Sequence, residues 1–585
     1  MIYKNYIRVL YIRLESKKIR IEERQDLTQY LGGTGVASKL LEENMRPELD
    51  PLAPEQPIIF AIGALSAIYP AVTKTVAMFI SPLTGELGES HAGGRLAMAM
   101  FQAGFDAIVI TGRADAPYYL SITGSDVLFR NAEALWKTDN DSTGQIIRYY
   151  EHGYEGKRSI VHIGRAGENL VSYACVIVDR YRHFGRLGLG AVFGSKQLKA
   201  INIAGDNSIP IENYPGYLRV YNEIFKKVNV PDGPMAKYHD IGTPVNIEPL
   251  NAIGGLPALN LKQGSFEGAD GLSGEEFAQK HLIRKMACTG CPVGCIHIGQ
   301  FRRAFAETGY EYESVSVGYD YELIFSLGTF LGVDSSEKIL EMINEVEICG
   351  LDAMSTGVAL GWATEALEKG LVSEKDTIVP LYFGGCDSYV KAIHFIAECK
   401  NEFYRHLGKG VRHASEIYGG ADFAMHIEGN EMAGYHTGYG SLVGAAVGAR
   451  HSHLCNAGYS IDQGTHGNFN AEDMARSLFN EEVERCMLNS LVICLFARKV
   501  YDRETVIKAL AAVGYELTNE DLTAIARRNY SNKLRIKKAL GFNWENIILP
   551  KRFYETPSAN GRLDEATVNE ILTAYRRHIS ELESV

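Results

Sequence analysis

The sequence predicts an α+β protein, with a β-rich N-terminal domain followed by two mainly α-helical domains. Short β-branched runs bounded by Gly, Pro, Asp or Asn recur through roughly the first 205 residues, as is typical of strands. After about Pro210, segments with helical periodicity dominate. We place the domains at residues 1–208, 209–417 and 418–585. The change from β-branched runs to helical periodicity marks the first boundary, and a YGGAD turn marks the second.

The individual elements follow from the same patterns. Strands are expected in eight N-terminal runs: IRVLYIRL, KKIRIEE, PIIFAIGAL, TVAMFIS, AIVITG, YYLSITG, SIVHIG and AINIAG. Helices are expected at Gly35–Asn44, Leu96–Ala103, Ser336–Ile348, Thr356–Lys369, Ser388–Asn401, Arg503–Val513 and Asp564–Glu581.

The composition excludes several classes of protein. The 585 residues include 59 basic and 71 acidic ones, which gives a formal charge of −12; 46% are hydrophobic and 22% are charged. These ordinary values exclude a disordered chain, a coiled coil, a collagen-like fibre and a small disulfide scaffold. The acid excess argues against nucleic-acid binding, which needs clustered Lys and Arg.

We expect no segment of the chain to enter a membrane. The most apolar stretch, Ile58–Val72, is interrupted by Ser66 and Pro70 and falls short of the roughly 20 residues that a bilayer helix needs. The N-terminus lacks the apolar core and cleavage site of a signal peptide. We therefore expect a cytoplasmic protein whose ten cysteines are free thiols or metal ligands rather than disulfides.

The sharpest local feature is the C-x-x-C-x-x-x-C run formed by Cys288, Cys291 and Cys295. This spacing gathers three thiolates, which select zinc, Cu(I) or an iron–sulfur cluster. Zinc sites more often add a distant second pair, and the chain has no second C-x-x-C, so the spacing favours iron–sulfur over zinc or inert thiols. A [4Fe–4S] cluster takes four thiolates. The fourth would come from Cys175, Cys349, Cys386, Cys399, Cys455, Cys486 or Cys494.

Three glycine-rich stretches lie in the N-terminal domain, at Gly32–Gly35, Ser90–Gly94 and Gly185–Gly190. Taken singly, each is most simply a tight turn, and none matches a dinucleotide fingerprint or a P-loop. Taken together, with Lys74, Arg182 and Arg186 nearby, they indicate a large phosphate-bearing ligand, because glycine loops and cations bind anions. The N-terminal domain is therefore expected to bind a cofactor.

Eight sequence blocks, spread in order along nearly the whole chain, carry a resemblance to a known family. They are YLGGTGVASKLL (30–41), SPLTGELGESHAGG (81–94), IGRAGENLV (163–171), GRLGLGAVFGSKQLKAI (185–201), CTGCPVGC (288–295), EYES (311–314), CGLD (349–352) and the segment from ARHSHL (449–454) to Cys494. In these blocks the chain resembles the tungsten-containing aldehyde:ferredoxin oxidoreductase family.

The resemblance implies a cofactor and a cluster. One tungsten would be held by the dithiolene sulfurs of two molybdopterin-type pyranopterins in the N-terminal domain, with Mg²⁺ bridging the pterin phosphates. The two helical domains would close over it. One [4Fe–4S] cluster would be held by Cys288, Cys291, Cys295 and Cys494. The cofactor would lie against Lys74, His91, Gly93, Arg182, His183 and Gly185.

The chain departs from the family in its pterin-reading motifs. D-x-x-G-L-D and D-x-x-G-L-C are replaced by EICGLD (347–352) and NSLVIC (489–494), so the expected pterin contacts are Glu347, Asp352 and Asn489. Glu347 still accepts two hydrogen bonds, whereas the amide of Asn489 offers one acceptor and two donor hydrogens. Lys74 stands where the family usually has Arg. This replacement loses the bidentate hydrogen bonding of a guanidinium but keeps the positive charge. The altered stretch GYHTGYG (434–440) is expected in the substrate pocket.

The resemblance also implies catalytic roles. Oxidation of an aldehyde to an acid removes two electrons; tungsten would take both and the cluster would pass them on singly. Glu313 matches the active-site glutamate and is expected to be a general base, with a pKa raised by burial. His453 matches the histidine that polarises the carbonyl oxygen, and His451 competes for that role. Three further residues are expected to line the substrate pocket or simply to pack: Tyr435, His436 and Tyr439.

A single cluster means that electrons leave to another protein. A basic group that flanks the cysteine run would dock an acidic ferredoxin or a small iron–sulfur subunit, unless its charges are merely scattered over the surface. The chain shows no Glu-x-x-His pair of the kind that holds an inter-subunit iron in some relatives, although an oligomer is expected. The basic group consists of Arg284, Lys285, Arg302 and Arg303.

Three functions compete at this point. The first is oxidation of a small-molecule aldehyde to the carboxylic acid, or the reverse. The second is low-potential reduction of an activated aromatic ring, as in aryl-CoA reductases that resemble this family, and the altered segment 434–440 favours it. The third is a non-catalytic electron-transfer or scaffold subunit without pterin, which would contain iron but no tungsten.

Overall fold

The computed structural model describes residues 5–124, 126–154, 157–229, 233, 235–305, 311–464 and 470–583. The strands are β1 Ile7–Arg13, β2 Lys18–Arg24, β3 Ile58–Ala61, β4 Thr75–Ile80, β5 Leu87–Ala92, β6 Ala107–Thr111, β7 Tyr118–Thr123, β8 Asp126–Asn131, β9 Arg158–His162, β10 Val176–Val178, β11 Arg182–Phe184, β12 Leu198–Ala204, β13 Leu282–Met286, β14 Ile296–Ala304, β15 Tyr312–Tyr319, β16 His426–Ile427 and β17 Asn430–Glu431.

Helices dominate after the twelfth strand. They are α1 Gly33–Asn44, α2 Leu96–Ala103, α3 Asn140–Tyr150, α4 Arg165–Glu168, α5 Leu189–Ser195, α6 Tyr214–Val228, α7 Ala236–Asp240, α8 Ile247–Ala252, α9 Gly274–Lys280, α10 Tyr321–Leu327, α11 Ser336–Cys349, α12 Ala353–Glu368, α13 Glu374–Thr377, α14 Cys386–Glu398, α15 Glu402–Leu407, α16 Val411–Tyr418, α17 Tyr439–Val447, α18 Gly458–Gly464, α19 Ala471–Ser490, α20 Arg503–Ala511, α21 Asn519–Ala539, α22 Arg552–Glu555 and α23 Glu565–Glu583. Short 3-10 helices lie at Gln25–Tyr30, Glu133–Leu135, Thr243–Asn246, Glu267–Leu272, Thr329–Leu331, Ala421–Phe423 and Leu495–Ala497.

Two six-stranded sheets form the N-terminal part, in the orders β2-β1-β6-β3-β4-β5 and β11-β10-β9-β12-β7-β8. The pairs β1–β6 and β7–β12 are parallel. The central strands are buried on both faces, which explains their nearly continuous apolar sequences. On β3, Phe60 faces the second sheet and meets the rings of Phe184 and Phe193, whereas Ile59 belongs to the core shared with the helices.

The predicted fold class is confirmed. All eight predicted strands and all seven predicted helices are present, with ends shifted by a few residues. The sequence did not predict β5, whose residues LGESHA are mostly not β-branched, nor the sheet β13-β14-β15 inside the helical part. The N-terminal sheets end with β12 at Ala204, and α6 begins at Tyr214. The domain limits themselves stay predictions.

The C-terminal helices pack directly on the N-terminal sheets. Helix α21, which begins with a Thr518–Asp521 capping box, lies against α1 so closely that a Cβ at Gly35 would meet the Asn529 side chain. Buried ion pairs reinforce this contact: Lys533 Nζ lies 2.5 Å from Glu89 Oε2 on β5. A central cavity is left between the sheets and the helices. Within the described ranges, no helix combines the length and apolarity needed to span a bilayer.

Candidate active site

The central cavity has a volume of about 370 Å³ and two chemically distinct walls. We call the residues that the N-terminal part contributes the β wall: Lys74, Glu89, Ser90, His91, Gly93, Cys175, Arg182, His183, Gly185, Arg186 and Leu187. The helical part contributes the helical wall, whose polar and aromatic members are Tyr238, Thr243, Asn246, Asp320, Tyr321, Glu322, Glu347, Asp352, Asn430, Tyr435, Arg450, Ser452, His453, Tyr459, Arg485, Phe496 and Arg498.

The β wall is cationic and presents backbone at close range. His91 lies at the end of β5, and Arg182 and His183 lie on the short strand β11. A Cβ at Gly185 would meet nothing within 4 Å, so the cavity reaches the main chain there. Burial lowers the pKa of His183 to about 3, which leaves its ring neutral. Such a wall suits anionic groups of a bound ligand.

The helical wall carries a buried carboxyl next to a buried imidazole. Asp320 caps α10 by accepting hydrogen bonds from the N–H groups of Glu322 and Leu323, which fixes Glu322 in the first helical turn. Glu322 Oε1 lies 3.2 Å from His453 Nε2, and the two side chains are 17% and 12% exposed. Among the described residues, His453 Nδ1 has no hydrogen-bond partner.

Burial decides the protonation of this pair. Burial raises the pKa of Glu322 to about 8, although the N–H of Gly434 donates to it. Burial, together with the charges of Arg186 and Arg450, lowers the pKa of His453 well below its usual value. His453 is therefore neutral, and Glu322 can exchange a proton near neutral pH.

Two more carboxyls of the helical wall lie opposite the β wall. Asp352 caps α12 and lies 3.0 Å from Arg186 Nε. Glu347 Oε1 lies 3.8 Å from His183 Nε2, and burial raises the pKa of Glu347 to about 8. The sequence predicted both residues as pterin contacts, and the structure places both on the cavity.

Aromatic rings continue from the Glu322–His453 pair. Tyr435 stacks on Tyr459 with ring centroids 4.3 Å apart and lies 5.2 Å from the His453 ring. Tyr321 lies on its other side, 5.1 Å away. Of the three residues expected in the substrate pocket, only Tyr435 is among the described lining residues. His436 bonds to the Thr556 carbonyl instead, and Tyr439 donates to Asp564.

The four cysteines that the resemblance assigned to a cluster lie together beside the β wall. Cys288, Cys291 and Cys295 lie on the loop between β13 and β14, and Cys494 follows α19. Burial raises the pKa of the Cys295 thiol to about 11, and the charge of Cys494 adds to this effect. A Cβ at Gly93 would lie 2.7 Å from Cys288 Sγ, so this thiol lies directly behind a lining residue of the β wall.

The thiol site does not fit a single ion. Among the described residues, no three His, Cys, Asp or Glu side chains converge closely enough to hold one metal ion. For Cys288, burial raises the pKa of the thiol, but the charges of Lys74 and Arg182, together with hydrogen bonds to Gly94 and Thr73, lower it by more.

The structure places Glu313 outside the described lining of the central cavity, and its catalytic role stays a prediction. This residue lies on β15 opposite Arg303, its side chain is 38% exposed, and its Oε1 lies 2.5 Å from Arg303 Nε. Glu313 lies near the start of β15, whereas the chain reaches the cavity only at Asp320, just after the end of that strand. Glu322 is the carboxyl beside His453. One feature of the sequence could have pointed to Glu322: Asp320 precedes an apolar run, a pattern that predicts the start of a helix.

Other predicted residues lie outside the lining. His451 is buried, and its Nε2 lies 3.1 Å from Glu86 Oε2, so the structure separates it from His453. Asn489 lies on α19 with its carbonyl against Gly33, and neither Asn489 nor the loop 32–35 is among the described lining residues. The glycines of that loop pack closely on neighbouring segments: Gly33 meets the backbone of residues 489 and 490, and Gly35 meets the Asn529 side chain.

Only part of the basic group near the cysteine run is available for contact with an acidic protein partner. Arg284 and Lys285 are exposed on β13, and Arg302 lies over the Tyr312 ring. Arg303 is paired with Glu313 and with Glu345, whose second oxygen lies 2.9 Å from His394 Nε2.

Comparison with known proteins identifies the family. The family model described as the N-terminal domain of aldehyde ferredoxin oxidoreductase matches residues 9–205, and the model of domains 2 and 3 matches residues 219–579. The chain belongs to the aldehyde ferredoxin oxidoreductase family. The resemblance inferred from the sequence blocks is thereby confirmed, and this family member is an oxidoreductase.

Curated relatives support the assignment over almost the whole chain. The family member is 31% identical to the tungsten-containing aldehyde ferredoxin oxidoreductase of Pyrococcus furiosus, with 98% of this chain and 96% of that protein aligned. It is also 31% identical to the corresponding protein of Thermococcus kodakarensis, over 96% of this chain and 93% of that protein.

A solved structure shows the same fold at lower identity. The active-site complex BamBC of benzoyl coenzyme A reductase, in complex with 1,5-dienoyl-CoA, matches with a TM-score of 0.81 and 20% identity. The match covers 98% of this chain and 94% of that chain. At this identity the likeness concerns the fold alone.

Proposed function

We propose that the protein is a tungsten-dependent enzyme that oxidises an aldehyde to the carboxylic acid, or runs the reverse reaction. In this proposal, electrons pass singly through a [4Fe–4S] cluster to a separate ferredoxin or iron–sulfur subunit. One observation carries the proposal: the Glu322–His453 pair faces a cationic wall across one cavity, and Cys288 lies directly behind Gly93 of that wall.

The β wall fits a bis-pyranopterin with its phosphates. Lys74, Arg182 and Arg186 supply positive charge, and Gly185 leaves space for a group at the main chain. Opposite them, Glu347 and Asp352 offer acceptors for the N–H donors of a pterin edge. Mg²⁺ between the phosphates is part of the same proposal.

Cys288, Cys291, Cys295 and Cys494 fit the cluster. Three come from one loop and one from a distant segment, and their thiols lie close enough for each charge to affect the others. When bound, the tungsten cofactor would supply two-electron redox chemistry, and the cluster would supply one-electron transfer.

The chain's own residues bind, orient and move protons. Ionised Glu322 accepts a proton from water or from the hydrated carbonyl. His453 stays neutral, and its Nε2 lies 3.2 Å from Glu322 Oε1, where it orients the carboxyl that takes up the proton. The Tyr435 and Tyr459 rings lie beside the His453 ring, at centroid distances of 5.2 and 6.1 Å.

The test is elemental analysis of anaerobically purified protein, followed by an aldehyde panel with a viologen dye as acceptor. We expect one tungsten and four irons per chain and dye reduction with at least one aldehyde. Iron without tungsten would identify an electron-transfer subunit instead.

A second candidate is reduction of an activated aromatic ring. The stacked Tyr435–Tyr459 rings beside Glu322 favour a planar substrate, and the structural neighbour is a benzoyl coenzyme A reductase complex. Oxidation of a cyclic dienoyl-CoA by viologen dye, with no response to any aldehyde, would favour this candidate.

A further inference from the structure

A second concave site lies next to the central cavity. It has a volume of about 550 Å³, and its lining includes Lys237, Tyr238, Asp240, Phe496, Arg498 and Lys499, which we call the vestibule. Tyr238, Phe496 and Arg498 also line the central cavity. The two spaces are therefore separated by a wall one side chain thick.

That wall is a pair of stacked rings. Tyr238 lies on the short helix α7, and Phe496 lies in the 3-10 helix that follows Cys494. Their centroids are 4.3 Å apart and their planes differ by 10°. Both side chains are half-buried, and the Tyr238 hydroxyl is hydrogen-bonded to Arg498, so the rings and the guanidinium together separate the two spaces.

The vestibule has an excess of positive charge. Lys237, Arg498 and Lys499 face Asp240, its one acidic member among the described residues. The Lys237 ammonium lies 5.1 Å from the Tyr238 ring centroid, and burial, with the charges of Arg498 and Lys499, lowers its pKa. Arg498 donates to the Leu495 carbonyl, which holds its guanidinium between the two spaces.

We propose that the vestibule is an anion-recognition site, which selects substrates that carry a carboxylate or phosphate group at the end remote from the reacting carbonyl. The proposal rests on the proposed function and names its substrate class. The anionic end stays between Lys237, Arg498 and Lys499, and the body of the substrate passes the Tyr238–Phe496 pair. Tyr459 and Tyr435 then lead to Glu322 and His453.

The geometry favours a small anion over an acidic protein partner. The three cations line a concave space that shares residues with the central cavity, whereas a protein partner needs a broad accessible surface. The exposed pair Arg284 and Lys285, on β13, offers such a surface elsewhere.

The experiment compares 4-formylbenzoate with benzaldehyde, two aldehydes that differ only in the carboxylate, with holoenzyme and a viologen acceptor. We expect wild-type kcat/KM to favour 4-formylbenzoate about tenfold at low salt, and the preference to shrink as ionic strength rises. In the variant Lys237→Gln/Lys499→Gln the preference should fall about tenfold. The matched control Lys391→Gln/Lys400→Gln removes two exposed lysines on or just after α14 and should keep the preference.

Calorimetric binding of terephthalate, the non-reacting dicarboxylate product, gives a readout independent of turnover. Its Kd should rise about tenfold in the vestibule variant and not in the control. An equal preference for both aldehydes in wild type and variant would overturn the proposal while leaving aldehyde oxidation standing. Terephthalate binding that depends on Lys237 and Lys499, with no aldehyde oxidised, would overturn the proposed function and leave the vestibule standing.

A third outcome identifies a protein-docking face. If the vestibule variant slows electron transfer to ferredoxin but leaves the aldehyde preference and the terephthalate Kd as in wild type, the three cations dock an acidic protein and the proposal is wrong.

Discussion

The two walls of the central cavity divide its chemistry. The β wall presents cations and open backbone, through Lys74, Arg182 and Gly185. The helical wall presents carboxyls and rings, and burial raises the pKa of both Glu322 and Glu347 to about 8. The β wall therefore suits ligand groups that keep a fixed negative charge. The helical wall suits groups that exchange protons or donate hydrogen bonds. The difference teaches that ligand binding and proton transfer can be perturbed separately.

The largest effect is expected from Glu322→Gln on the helical wall. Loss of the general base should lower kcat about 10²- to 10⁴-fold, because a positioned acid or base contributes that much. Tungsten and iron contents should stay as in wild type, since no cation of the β wall changes.

Glu313→Gln is the matched control for that variant. Glu313 is half-exposed and paired with Arg303, so kcat should stay within about twofold of wild type. A severe loss in Glu313→Gln together with a mild one in Glu322→Gln would contradict our assignment of the base.

On the β wall, Lys74→Gln should reduce tungsten retained per chain about tenfold, because it removes a charge that faces both the cavity and Cys288. Lys74→Arg keeps the charge and should retain tungsten. Elemental analysis after gel filtration measures the tungsten content of both variants. Equal tungsten content in Lys74→Gln and wild type would contradict the assignment of cofactor binding to the β wall.

The pH profile sharpens the role of the helical wall. The pKa of Glu322 is raised to about 8, and a general base must be ionised, so log kcat/KM should rise with unit slope below about pH 8 and level off above it. The residual rate of Glu322→Gln should be flat over the same range. Stopped-flow dye reduction across pH 6 to 9 is the measurement, and a flat wild-type profile would remove Glu322 from the proton path.

The smallest effect is expected outside both walls. Arg284→Glu/Lys285→Glu should slow electron transfer to an acidic ferredoxin several-fold at low salt and leave viologen reduction and tungsten content unchanged. If the rate of electron transfer to ferredoxin does not change with salt in either wild type or the variant, the proposed docking role of β13 is wrong.

Local sequence patterns predicted much of the fold, and they also predicted three of the four proposed cluster ligands. Cys288, Cys291 and Cys295 are identified by spacing alone, and strands such as β4 by their β-branched runs. The same reasoning missed β5, because residues 87–92 become a strand through pairing with β4 rather than through propensity. Assigning Cys494 required the family resemblance.

The sequence by itself determined the α+β class, the triple-cysteine loop and the family. The tertiary structure alone decided that Glu322 rather than Glu313 faces His453, that His451 belongs to Glu86, and that Asn489 packs against Gly33. The physical reason is that periodicity and spacing act along the chain. Burial, which sets the pKa of Glu322 and brings distant residues into one cavity, arises only when the elements pack together.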